Sequence, residues 1–148
     1  MKKNYLFLIP VVLVTAALML SSSGRATASA QAQGEYKQDK PYTRENPGPW
    51  AGAAEKHIPQ IIYEKMGTGL KVTVKVDNHP MDPKKPHYIM WIKLEDGRGN
   101  LLGRKDFVAT DPAPVATFEL ESVPAHLRAF ERCNIHGIWM SEAKVELK

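Results

Sequence analysis

Leu70, Val72, Val74 and Val76 alternate with Lys71, Thr73, Lys75 and Asp77. A period of two predicts a strand with one buried face. Residues 87–94, His-Tyr-Ile-Met-Trp-Ile-Lys-Leu, are apolar on both faces and predict a second strand, central in its sheet. Between these two runs, residues 79–86 hold three prolines and two lysines and read as a loop. Gly67-Thr68-Gly69 separates the first run from an apolar stretch at 61–66 and suggests a hairpin. Asp96-Gly97-Arg98-Gly99-Asn100 turns the chain into a strand over 101–108, which Asp111-Pro112-Ala113-Pro114 ends. Residues 116–120, 127–132 and 140–147 supply further strands. About seven short strands at spacings of roughly 8–12 residues, with no long helix, predict an all-β fold. The expected architecture is an immunoglobulin-like antiparallel β-sandwich with loops gathered at its ends.

The first 49 residues do not join this pattern. Residues 1–30 read as a secretory signal peptide: a basic start, Met1-Lys2-Lys3, an apolar run from Tyr5 to Leu20, then small residues with two Ala-x-Ala sites. An uncleaved membrane anchor is the weaker alternative, because an apolar run of about 16 residues is short for a span. The mature protein is thus expected to be periplasmic or secreted. Residues 31–49 are polar and rich in Gln, Lys, Gly and Pro, and read as a flexible arm. Pro47-Gly48-Pro49-Trp50 leads into the folded domain, residues 50–148, with Trp50 as an anchor, and 51–56 can make one helical turn.

Charge changes the picture once the leader is set aside. The whole chain carries a formal +4, and removing Lys2, Lys3 and Arg25 leaves +1. A near-neutral domain gives no reason to expect nucleic acid or an anionic membrane as partner. Any attraction of an anion must come from charge local to a site.

Cys133 is the only cysteine, so no intrachain disulfide can form. A lone cysteine in an exported chain is a free thiol, an intermolecular bridge or a metal ligand. His136, three residues on in Cys133-Asn134-Ile135-His136-Gly137-Ile138-Trp139, favours the ligand. His57 in Glu55-Lys56-His57-Ile58-Pro59, His79 before Pro80, and His87 bring the set to four imidazoles and one thiolate. Only His126 is left over, and it reads as a surface or structural residue. Any single histidine would by default be a surface or hydrogen-bonded imidazole. Five nitrogen and sulfur donors exceed the four of a closed zinc site and fit a five-coordinate iron with one open position.

These segments, E-K-H-x-P, H-P-x6-H-x-I-x-W-I and C-N-x-H-G-x-W, resemble the superoxide reductases of the neelaredoxin and desulfoferrodoxin type, over roughly residues 45–148. The resemblance implies the same sandwich and one iron ion (Fe2+/Fe3+) per chain. It implies His57, His79, His87 and His136 in a plane around the iron, with Cys133 axial and His136 bound through Nδ1. The activity implied is one-electron reduction of superoxide to hydrogen peroxide, without dismutation to oxygen. A small redox protein would donate the electron, and homo-oligomer formation stays open. The resemblance gives Lys56 the task of drawing in superoxide and orienting a proton-donating water. It gives Glu55 that of occupying the sixth position in the ferric state. Members with an added rubredoxin-like centre need four more cysteines, which this chain lacks. Lys84 and Lys85 add positive charge before His87, and Trp91 and Trp139 are expected to shield the site.

Two other readings compete. Cys133, His136 and Met140 resemble the cysteine, histidine and weak methionine of a blue-copper electron carrier, with an upstream histidine as the remaining ligand. That reading leaves two of the four motif histidines and the Glu55-Lys56 pair unexplained. A sandwich that has lost its metal would be expected to lack a ligand, and none is missing.

Overall fold

The computed structural model describes Gln38 and residues 40–147. Seven strands build two antiparallel sheets. They are β1 (Gln60–Met66), β2 (Gly69–Lys75), β3 (Ile89–Asp96), β4 (Leu101–Asp106), β5 (Val115–Leu120), β6 (His126–Cys133) and β7 (Gly137–Lys144). One sheet has the order β1-β2-β5 and the other β4-β3-β6-β7. The expected all-β sandwich is formed. Among the described residues no helix is long and apolar enough to cross a membrane.

Alternation places the core. Leu70, Val72 and Val74 are fully buried, while Lys71, Thr73 and Lys75 stay partly exposed. They meet Ile92, Leu94 and Leu127 from the facing sheet, and each such side chain contributes about 1.5–3 kcal/mol by leaving water. β3 is central, between β4 and β6, as its apolar character predicts. A bulge between Ile89 and Trp91 shifts its phase, so Ile89 and then Ile92 and Leu94 turn inward. Trp91 is left on the outer face beneath the Arg104 guanidinium, 4.9 Å from the ring centroid. It therefore does not shield the site, whereas Trp139 is fully buried beside it.

The last strand begins at Gly137, three residues before the expected start. Gly137 adopts φ +81 and lies opposite Cys133 in register, so the turn between β6 and β7 is only Asn134–His136 long. Before β1, a 3-10 helix over Gly48–Lys56 replaces the single expected turn and delivers His57 at its C-cap.

The segment read as an arm lies along the outer edge of β7 at Gln38 and over residues 40–42. Tyr42 N–H donates to Ile138 O, and Met140 N–H donates to Tyr42 O, both at 2.8 Å. The Tyr42 ring packs edge-on against Trp139 at 5.3 Å. Residues 1–30, read above as a signal peptide, lie outside the described residues.

Candidate metal centre

One end of the sandwich collects four separate pieces of chain. The helix end contributes His57, the loop after β2 His79, the position two residues before β3 His87, and the end of β6 with the turn after it Cys133 and His136. Asn78, at φ +58, swings the chain out of β2 toward His79; asparagine tolerates this left-handed conformation better than most residues. Asn134 stitches two pieces together. Its Oδ1 accepts from Tyr88 N–H at 3.0 Å and its Nδ2 donates to Pro86 O at 2.9 Å, so the chain on both sides of His87 is held to the Cys133 turn.

The five donor atoms all lie within 4.8 Å of one another. Donors on opposite sides of one transition-metal ion stand about 4–4.6 Å apart, so the cluster has the span of a single coordination sphere. His57, His79 and Cys133 are buried, at 1%, 7% and 1% exposure, while His87 and His136 are half-buried and form the open side.

Hydrogen bonding fixes the ring tautomers. His57 Nδ1–H donates to Ala53 O at 2.9 Å and His79 Nδ1–H to Pro80 O at 2.7 Å. Each ring then presents Nε2 as a lone pair. His79 Nε2 is buried with no hydrogen-bond partner among the described residues. His136 Nδ1 lies 2.9 Å from His57 Nε2, 3.2 Å from His87 Nε2 and 3.5 Å from Cys133 Sγ. One proton on that nitrogen satisfies at most one of three neighbours. A cation at the centre satisfies them all, so the residues present fit a metal.

Electrostatics agree. Burial holds the His57 imidazole down at about 4 and the His79 imidazole at about 3, leaving both neutral and able to ligate at pH 7. Burial, then the Lys56 ammonium, lowers His87 as well. Burial also pushes the Cys133 thiol up to about 11, against the pull of the Ile135 and His136 backbone N–H groups. A thiolate persists in this pocket only beside a positive partner, which a metal ion supplies.

The remaining predicted residues lie around the rim. Lys56 is exposed at the end of the helix, close enough to act on both His57 and His87. Glu55 points outward and pairs with Arg44, outside the donor cluster. Lys84 and Lys85 are exposed, their backbone N–H groups bound to Asp82 Oδ1. His126 is exposed at the start of β6, at the far end of the strand from Cys133. Met140 pairs with Phe130 on the face of β7 opposite to Trp139 and Cys133. A copper site of Cys133, His136 and Met140 is therefore not formed.

Two side chains at the site carry no motif. Trp50 packs edge-on against His136 with centroids 4.7 Å apart. Glu131 is fully buried two residues before Cys133, both carboxyl oxygens lack a hydrogen-bond partner among the described residues, and burial raises its pKa well above the usual range. Its place was visible in β6, where it shares the inward face with Leu127, Ala129 and Cys133.

Residues 50–142 match the family model described as Desulfoferrodoxin. The chain belongs to this family. It is 40% identical over 110 residues to the superoxide reductase of Pyrococcus abyssi, covering 67% of this chain and 93% of that one. To the desulfoferrodoxin of Nitratidesulfovibrio vulgaris it is 42% identical over 93 residues, 62% of this chain and 66% of the relative. Among solved structures, the superoxide reductase (neelaredoxin) from Ignicoccus hospitalis superposes with a TM-score of 0.59 at 31% identity. That match covers 73% of this chain and 95% of the other.

Proposed function

We propose that this protein is a superoxide reductase with one iron ion held by His57, His79, His87, His136 and Cys133. The observation that carries the reading is the five-donor cluster with one half-open side. Four imidazoles and a thiolate exceed a closed tetrahedral zinc set and suit iron with a position left for substrate. The relatives' names support the same reading.

The bound iron supplies one electron at a time, and the overall change is superoxide plus one electron plus two protons to hydrogen peroxide. The protein does the rest. The buried side, with His57, His79 and Cys133, keeps water from the sulfur. His87 and His136 border the opening through which a diatomic anion enters. Lys56 raises the local concentration of that anion and orients a water that delivers protons. Glu55, released from Arg44, is the carboxylate available to cover the open position in the oxidised state. A small redox protein returns the electron, and residues 1–30 direct the chain out of the cytoplasm.

Metal analysis and product stoichiometry test this reading. Expected are one iron per chain and one hydrogen peroxide per superoxide consumed by the reduced protein, with no oxygen evolved. Copper in the purified protein, or oxygen released in a dismutation ratio, overturns it. N-terminal sequencing of the mature protein tests the leader.

A further inference from the structure

We propose that the Gln38 side chain is a positioning residue for the metal centre, clamping the backbone of Ile138 and so holding the turn that presents Cys133 and His136. The inference rests on the metal reading above. β7 is an edge strand, and the Ile138 N–H and C=O point away from β6. Water would ordinarily satisfy such groups. Here the C=O accepts from Tyr42 N–H and also from the Gln38 primary amide. The N–H donates to that amide, whose donor and acceptor stand side by side as a neighbouring strand's would. Ile138 N–H donates to Gln38 Oε1 at 2.6 Å, and Gln38 Nε2 donates to Ile138 O at 2.7 Å. The same Nε2 donates to Lys40 O at 2.9 Å, which folds the amide into place.

The position of the clamp gives it its effect. Ile138 is two residues beyond His136, and the residue between them is Gly137 at φ +81. A glycine in the left-handed region is the point of greatest backbone freedom in the turn. A Cβ at Gly137 would stand 2.5 Å from Gln38 Oε1, so the glycine also makes room for the amide. Asn134 ties the turn on the His87 side, and Gln38 ties it on the other. With both ties in place, His136 O is held to accept from Trp139 Nε1 at 3.1 Å, and the imidazole Nδ1 faces the centre. Groups that orient metal ligands from behind typically change metal affinity by 10- to 100-fold when removed.

The test uses the exported, iron-loaded protein. Gln38→Ala should displace the sulfur-to-iron absorption of the oxidised protein and speed iron loss to a chelator by about 10-fold. Gln38→Glu keeps the acceptor for Ile138 N–H, loses the donor and sets a charge against two carbonyls. It should fold and show the same displacement, with iron loss faster than in the parent. Thr43→Ala removes only the bond from Asn46 N–H within the arm and should match the parent in both readouts. If Gln38→Ala and Gln38→Glu keep the parent's absorption maximum and iron-loss rate, the amide is only an edge cap and the proposal fails, whatever the unfolding temperature does. Absence of the sulfur-to-iron absorption from the parent protein would instead overturn the iron reading itself.

Discussion

His57 and His79 meet edge to face with ring centroids 4.7 Å apart, and each has given its Nδ1–H to a backbone carbonyl. Both rings are thereby committed to presenting Nε2 inward whether or not a metal is bound. Replacing either with Ala should therefore abolish tight metal retention, while His126→Ala leaves it unchanged. Metal content after gel filtration with a chelator checks this. Stripping the parent should also lower its stability, by about 2.7 kcal/mol where free metal had been at 100 times its Kd.

Cys133→Ser keeps the size of the side chain but replaces a soft donor with a hard one. The sulfur-to-iron band of the oxidised protein should vanish, and superoxide reduction with it. A visible spectrum that still carries the band would remove Cys133 from the ligand set.

Lys56 should act before the chemistry. Electrostatic steering changes association rates by about 10- to 1000-fold and weakens with salt. Lys56→Met is expected to slow the second-order reaction of the reduced protein with superoxide and to flatten its salt dependence, with iron content normal. Glu55→Ala should leave that rate nearly unchanged and alter the oxidised spectrum instead. Pulse-generated superoxide at several salt concentrations separates the two, and an unchanged slope for Lys56→Met makes it an ordinary surface charge.

Burial raises the Glu131 pKa well above the 4.5 usual for glutamate. The unfolded chain ionises near 4.5 and the folded chain only much higher. Folding is thus most favoured, as far as this group goes, below about 4.5 and loses ground as pH rises above it. In metal-free protein the lowered His57 and His79 pull the other way, gaining stability as pH rises toward 6.5. Glu131→Gln should therefore shift the slope of urea midpoint against pH between 5 and 8 toward more stability at high pH. An identical slope in the variant would show that other groups set the dependence.

The period-two pattern was sufficient for the sandwich because β2 and β3 alternate or fill both faces, and the donor residues stand in short motifs. What escaped depends on contacts between distant segments. β7 starts earlier than the pattern predicts because Gly137-Ile138-Trp139 reads as turn chemistry, yet Gly137 already lies in register with Cys133. Trp91 was expected at the site, but the β3 bulge leaves it on the outer face. Gln38 was illegible for a different reason: its amide imitates a backbone 100 residues away, and no local pattern marks such a role.

The bridge between Tyr42 and Trp139 matters beyond the metal site. An uncovered edge strand is a template on which another chain can add a strand of its own. By lying along β7, the arm occupies that template around Ile138–Met140. The protein thus guards its own sheet against lateral association, and a chain clipped after Tyr42 would display, next to Cys133, an edge open to strangers.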